Sequence, residues 1–113
     1  MSGIESIVGG EANVLAKMLD AASVRHRVVA SNLANANNPA YERREVRFNE
    51  AFARAIGSGG DLADVHPEIV ATGERVDLET EMGHLAQNTL TYKVLAEVLA
   101  RKLGTIRSAI TGR

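Results

Sequence analysis

The chain has 113 residues, a formal net charge of −1 and no cysteine. Thirteen basic groups against fourteen acidic ones make no field for nucleic acid or an anionic membrane surface. The missing cysteines exclude disulfides, thiolate catalysis and Cys-type zinc sites. Hydrophobic residues make up 45% of the chain but aromatic ones only 4%, an apolar content that suits helix seams better than a bulky globular core.

The N-terminal stretch Met1 to Gly10 lacks a basic n-region and a continuous apolar run, so no secretory signal is expected there. No run approaches the ~18 apolar residues of a membrane span. From about Ile4 to Asn35, the residues Val8, Ala12, Leu15, Leu19, Ala22, His26, Val29 and Leu33 recur in alternating steps of four and three, and Met18 widens the stripe. This spacing predicts a helix with a heptad seam. Gly9 and Gly10 each weaken its start by about 1 kcal/mol relative to Ala, so the first turns are expected to fray or bend. Asn35, Asn37 and Asn38 tolerate non-helical backbone, and Pro39 pushes Asn38 out of the helical region. Residues 1–38 are thus read as an N-terminal axial helix.

Residues 39–76 are read as a short irregular segment with minor β structure. Val46 and Phe48 alternate with Glu45 and Arg47 as in a half-buried strand. Asn49 is placed to cap a two-turn helix presenting Phe52 and Ile56, and Gly57 to Gly60 ends it as a loop. Asp61 to Glu68 is polar, Ile69 to Thr72 reads as a second strand, and Gly73 turns the chain. The two strands are placed to pair as a β-hairpin.

Residues 77–113 carry the longest pattern. Leu78, Met82, Leu85, Thr89, Tyr92, Ala96, Leu99, Leu103, Ile106 and Ile110 keep the four-three rhythm without a Pro. Asp77 is placed as N-cap, with Glu79 and Glu81 early and Arg101, Lys102 and Arg107 late, which complements the helix dipole. A helix of roughly 34 residues, on the order of 50 Å long, is predicted. The fold class is therefore mainly α, two long terminal helices forming a coiled-coil hairpin. Leu15, Leu19, Leu33, Met82, Leu85, Tyr92, Leu99, Leu103 and Ile106 are its expected contacts within one subunit. Leu90, Val94 and Val98 form a second apolar stripe, echoed by Val24 and Val28 in the first helix. A helix apolar on opposite faces is buried on both. These five residues are therefore expected at a subunit–subunit interface, in a chain partly disordered when alone.

Ala30-Ser31-Asn32-Leu33-Ala34-Asn35-Ala36-Asn37-Asn38-Pro39-Ala40-Tyr41 resembles the signature of bacterial flagellar rod, hook and hook-associated axial proteins, typically A-x-N-[IL]-A-N-x-x-T-P-G-Y. The chain departs from it at Asn38, Ala40 and Glu42, where Thr, Gly and Lys are usual. Val76 to Met82, running on to Asn88, Leu90, Tyr92, Leu95, Leu99 and Lys102, is similar to the C-terminal region of the family's proximal rod members. The resemblance implies a structural subunit of the proximal rod, assembling helically through its terminal helices into the drive shaft of the basal body. It implies export by the flagellar type III apparatus without a cleaved signal peptide, and a periplasmic place in the rod. The implied partners are other copies of the chain, FlgC-like and distal rod proteins, the basal-body protein FliE and the export gate. The family's Gly also sets an expectation at Ala40: a strained residue at positive φ, or a different turn.

The remaining constellations read as structural. Asp61, Asp64, His66 and Glu68 lack the spacing and rigid support of a metal site and are read as a solvated loop. His26 is read as a partly buried seam residue, and His84 with Glu81 as a surface i, i+3 pair. Arg25, Arg27, Arg43, Arg44 and Arg47, interleaved with Glu42 and Glu45, suit intersubunit ion pairs better than nucleic acid. Asn32, Asn35, Asn38, Pro39 and Tyr41 form a turn and helix-end motif. No catalytic, cofactor or metal residues are assigned, so the chain is read as a non-enzyme needing no cofactor. The rivals are a soluble coiled-coil adaptor or another, FlgC-like, axial rod protein.

Overall fold

Two long helices carry the molecule, and a small α/β segment joins them. The computed structural model describes the backbone of residues 3–112 and the side chains of residues 9–112. Helix α1 spans Gly3–Ala34, strand β1 Arg44–Arg47, helix α2 Asn49–Ser58, strand β2 Glu68–Ala71 and helix α3 Leu78–Thr111, with a single 3-10 turn at Leu62–Asp64 before β2. Helix α1 runs through Gly9 and Gly10 without interruption. Half-buried Gly9 and exposed Gly10 weaken the helix, but the packed turns that follow carry it.

The end of α1 follows from its asparagines. Asn35 N–H donates to Ser31 O at 3.1 Å, and its side-chain amide donates to the same carbonyl at 2.8 Å. Asn38 Oδ1 then accepts from Ala40 N–H at 3.0 Å, closing the tight turn that Pro39 enforces. Among the described residues no non-glycine has positive φ. Ala40 is therefore unstrained, and the turn needs no glycine there.

Strands β1 and β2 pair antiparallel with Arg44 opposite Ala71 and Arg47 opposite Glu68. Phe48 takes the position before α2, and Asn49 starts the helix rather than capping it; its Oδ1 accepts from Arg25 Nη2 at 2.9 Å. Phe48 and Phe52 stack at 4.8 Å and pack with Ala21 and Val65 into a small core. Ile56, expected on the same side as Phe52, is 51% exposed. Helix α2 ends where Gly59 turns left-handed at φ 69° and Gly60 N–H returns to Ala55 O at 2.8 Å. Lys17 Nζ ties this segment back to α1 by donating to Val65 O at 2.7 Å.

Helices α1 and α3 are antiparallel: Glu81 meets Asn32, Asn88 meets Ala22, and Lys102 meets Glu11. Ala21 and Ala22, 100° apart around α1, are 0% and 1% exposed, so this helix is covered from two directions, by Phe48 and Val65 and by α3. Helix α3 is covered from one. The backbone measures 58 × 29 × 14 Å, too thin for an enclosed core. Its radius of gyration of 17.4 Å exceeds the roughly 13 Å of a compact domain this long. The accessible surface is 7487 Å², against roughly 6,000 Å² for a compact monomer of 12.1 kDa. The excess is the size of one standard protein–protein contact.

Candidate assembly surface

A buried polar cluster fixes the angle at which α3 leaves the small sheet. Asn32 and Glu81 are each 0% exposed. The Asn32 amide reads the backbone of Arg44 as a neighbouring strand would: Nδ2 donates to Arg44 O at 2.8 Å and Oδ1 accepts from Arg44 N–H at 3.0 Å. Its remaining acceptor takes Tyr41 Oη–H at 2.9 Å, and its remaining donor reaches Glu81 Oε2 at 3.1 Å. All four hydrogen-bonding sites of the amide are used.

The other carboxylate oxygen, Glu81 Oε1, accepts from Arg43 Nε at 2.5 Å, with His84 Nδ1 at 3.9 Å. Burial opposes the charge of Arg43, but its hydrogen bonds and Coulombic contacts with Glu81, then Glu45, outweigh this and hold the guanidinium above its usual range. Among the described residues, no buried side-chain nitrogen or oxygen lacks a partner. The cluster thus clamps the end of α1, the start of β1 and the first turn of α3 together. Asn35 and Asn38 shape the adjoining turn, Pro39 is exposed at its tip, and Tyr41 Oη also lies 3.2 Å from Ser31 Oγ.

The inward row of α3 is Glu81, Asn88 and Leu95, which are buried, followed by half-buried Lys102. It keeps a seven-residue step but stands one residue before Met82, Thr89, Ala96 and Leu103 of the expected seam. The helix is rotated because Glu81 and Asn88 turn inward to satisfy Arg43, Asn32 and the carbonyl of Ala22. Leu85, Leu99 and Ile106 are consequently half-buried, as are Leu15, Leu19 and Leu33 on α1. Met82, Tyr92 and Leu103, expected inside the hairpin, are 57%, 42% and 53% exposed.

The second stripe divides. Leu90 and Val94 are 63% and 50% exposed, whereas Val98 and Val24 are half-buried. Val28, expected at an interface, is only 7% exposed and lines the cleft between α1, β1 and α3, so it is used within the chain. His26, expected in the seam, is exposed, in a groove with Arg27, Tyr92 and Lys93. His84 is not one half of a surface pair, because its partner Glu81 is buried. Sequence reasoning missed Glu81, Asn88 and Arg43 as inward groups. The available signal was the seven-residue recurrence of Glu81, Asn88, Leu95 and Lys102.

Seven of the nine exposed large apolar side chains among the described residues lie on α3: Leu78, Met82, Leu90, Tyr92, Val94, Leu103 and Ile110. Met82, Leu85, Ala86, Thr89 and Leu90 line a shallow apolar groove along it. Exposed apolar side chains gathered along one groove of a helix mark a contact surface.

No family model matches the chain. It is 27% identical to the flagellar basal body rod protein FlgB of Bacillus subtilis over 126 residues, covering 95% of this chain and 98% of that protein. It is 29% identical to FlgB of Cereibacter sphaeroides over 133 residues, covering 99% of each. It is 26% identical to FlgB of Borrelia hermsii, covering 83% of this chain and 90% of the relative. An alignment of 133 positions against a chain of 113 means that the relative carries residues missing here. Over nearly its whole length the chain is thus similar to FlgB flagellar basal body rod proteins, and two long terminal helices clamped by the asparagine signature are consistent with a rod protein of that kind.

Proposed function

We infer that the chain acts as a structural, non-enzymatic subunit of the flagellar rod, held in place by contacts along its long helices. The observation that carries this reading is the open apolar face of α3, with Leu90 at 63% and Met82 at 57% exposure. A thin two-helix layer hides one side of α3 and leaves the other to neighbours. Those neighbours are other copies of the chain and further rod proteins, including FlgC-like and distal rod subunits, with FliE and the export gate at the base. The terminal helices assemble helically in the periplasm after type III export without a cleaved signal peptide. A chain whose helices gain much of their burial from neighbours suits passage in an unfolded state.

Because the chain has no cysteine, Leu90→Cys gives a unique thiol. It is expected to react rapidly with maleimide in the isolated chain and to resist in assembled basal bodies. Equal reactivity in both argues against the reading.

A further inference from the structure

Beside the apolar stripe lies a groove between α1 and α3, lined by Ser23, His26, Arg27, Thr89, Tyr92 and Lys93. It carries two permanent cations and a histidine, and no carboxylate lines it; Asp20 and Glu97 lie a turn or two away along the helices. Among the described residues, neither Arg27 nor Lys93 has an ion-pair partner. Residues 49–68 show the opposite balance: Glu50, Asp61, Asp64 and Glu68 against Arg54 alone. These carboxylates are all exposed and form no ion pair among the described residues, Asp61 accepting only from Ala63 N–H.

A second copy has two ways to approach. Groove against groove, related by a twofold axis, brings Arg27 and Lys93 against themselves, and like charges in register reject that arrangement. Groove against the acidic segment matches cations with carboxylates. It is also heterologous, leaving a free groove at one end and a free acidic segment at the other, so it propagates instead of closing into a dimer.

Resting on the rod-subunit reading above, we propose that the Arg27/Lys93 groove of one copy receives the acidic 61–68 segment of the next. The neighbouring apolar stripe supplies adhesion, and the charges set partner and register. Exposed charge pairs add little affinity but govern encounter and reject wrong arrangements.

The test uses the full chain at low ionic strength, with association followed by sedimentation velocity up to millimolar concentration. Arg27→Glu/Lys93→Glu is expected to weaken self-association about tenfold or more, and so is Asp61→Lys/Asp64→Lys. Mixing the two variants restores it, because each then offers the other's complement. Cross-linking adds a geometric readout: Ser23→Cys and Ala63→Cys chains form a mixed disulfide on oxidation, in preference to the Ser23→Cys homodimer. A wild-type chain that stays monomeric throughout overturns the proposal. So does charge reversal without effect, or a mixture that fails to recover. If reversal is silent while Leu90→Asp/Val94→Asp abolishes association, the rod reading stands and only this pairing falls.

Discussion

Replacing Glu81 by Ala is expected to destabilise the chain by about 3 kcal/mol or more, the usual cost of removing one partner from a buried ion pair. Three losses combine. Arg43, 17% exposed, keeps only the longer contact to Glu45 at 3.3 Å. Asn32 Nδ2 loses one of its two acceptors while remaining fully buried. The first turn of α3 loses its tie to β1 and α1. The measurement is a urea titration, in which the midpoint falls without a change of slope. Glu81→Ala combined with Arg43→Ala should cost clearly less than the sum of the single changes, because the two groups share one interaction. If Glu81→Ala leaves the midpoint within about 0.5 kcal/mol of wild type, the cluster is not what holds the helices together.

The second large effect separates assembly from folding. Leu90→Asp with Val94→Asp changes two side chains that are 63% and 50% exposed, so the isolated chain should keep its urea midpoint within about 0.5 kcal/mol. In an assembly the same changes remove two buried aliphatic groups, each worth about 1.5–3 kcal/mol, and place carboxylates in their stead. Association should weaken by roughly a thousandfold or more. Complementation of a strain lacking its own rod subunit reads this as loss of basal-body assembly, with circular dichroism of the purified chain as the control. Normal assembly by the double variant means that this face does not meet a neighbour.

The contrast between these substitutions shows what was legible in the sequence. Both long helices, the antiparallel strand pair and the helix after Phe48 follow from periodicity, from Pro39 and from the asparagine cluster, because these act locally. The phase of α3 does not. A reader of apolar spacing puts Met82 and Leu103 inside, whereas the chain puts Glu81 and Asn88 there. Two polar residues turn inward only because Arg43, Asn32 and the carbonyl of Ala22 await them from segments far away in sequence.

Val65 was hidden for a related reason. It sits alone in the polar stretch Asp61 to Glu68, and only the fold brings it beneath Phe48 and Ala21. Val28 illustrates the reverse error, an apolar echo read as an interface when β1 and α3 already cover it. Ala40 shows that a departure from a family signature need not store strain, since the turn is closed by Asn38 Oδ1 at negative φ.

On the rod-subunit reading, a 14 Å layer with 7487 Å² of exposed surface is completed by its neighbours. The most direct test is far-ultraviolet circular dichroism of the wild-type chain across concentration, with thermal melts at each step. Helix content in dilute solution should fall short of the 32 and 34 residues that α1 and α3 require, and both it and the melting temperature should rise as the chain associates. A dilute monomer that is already fully helical and melts sharply at every concentration would contradict it.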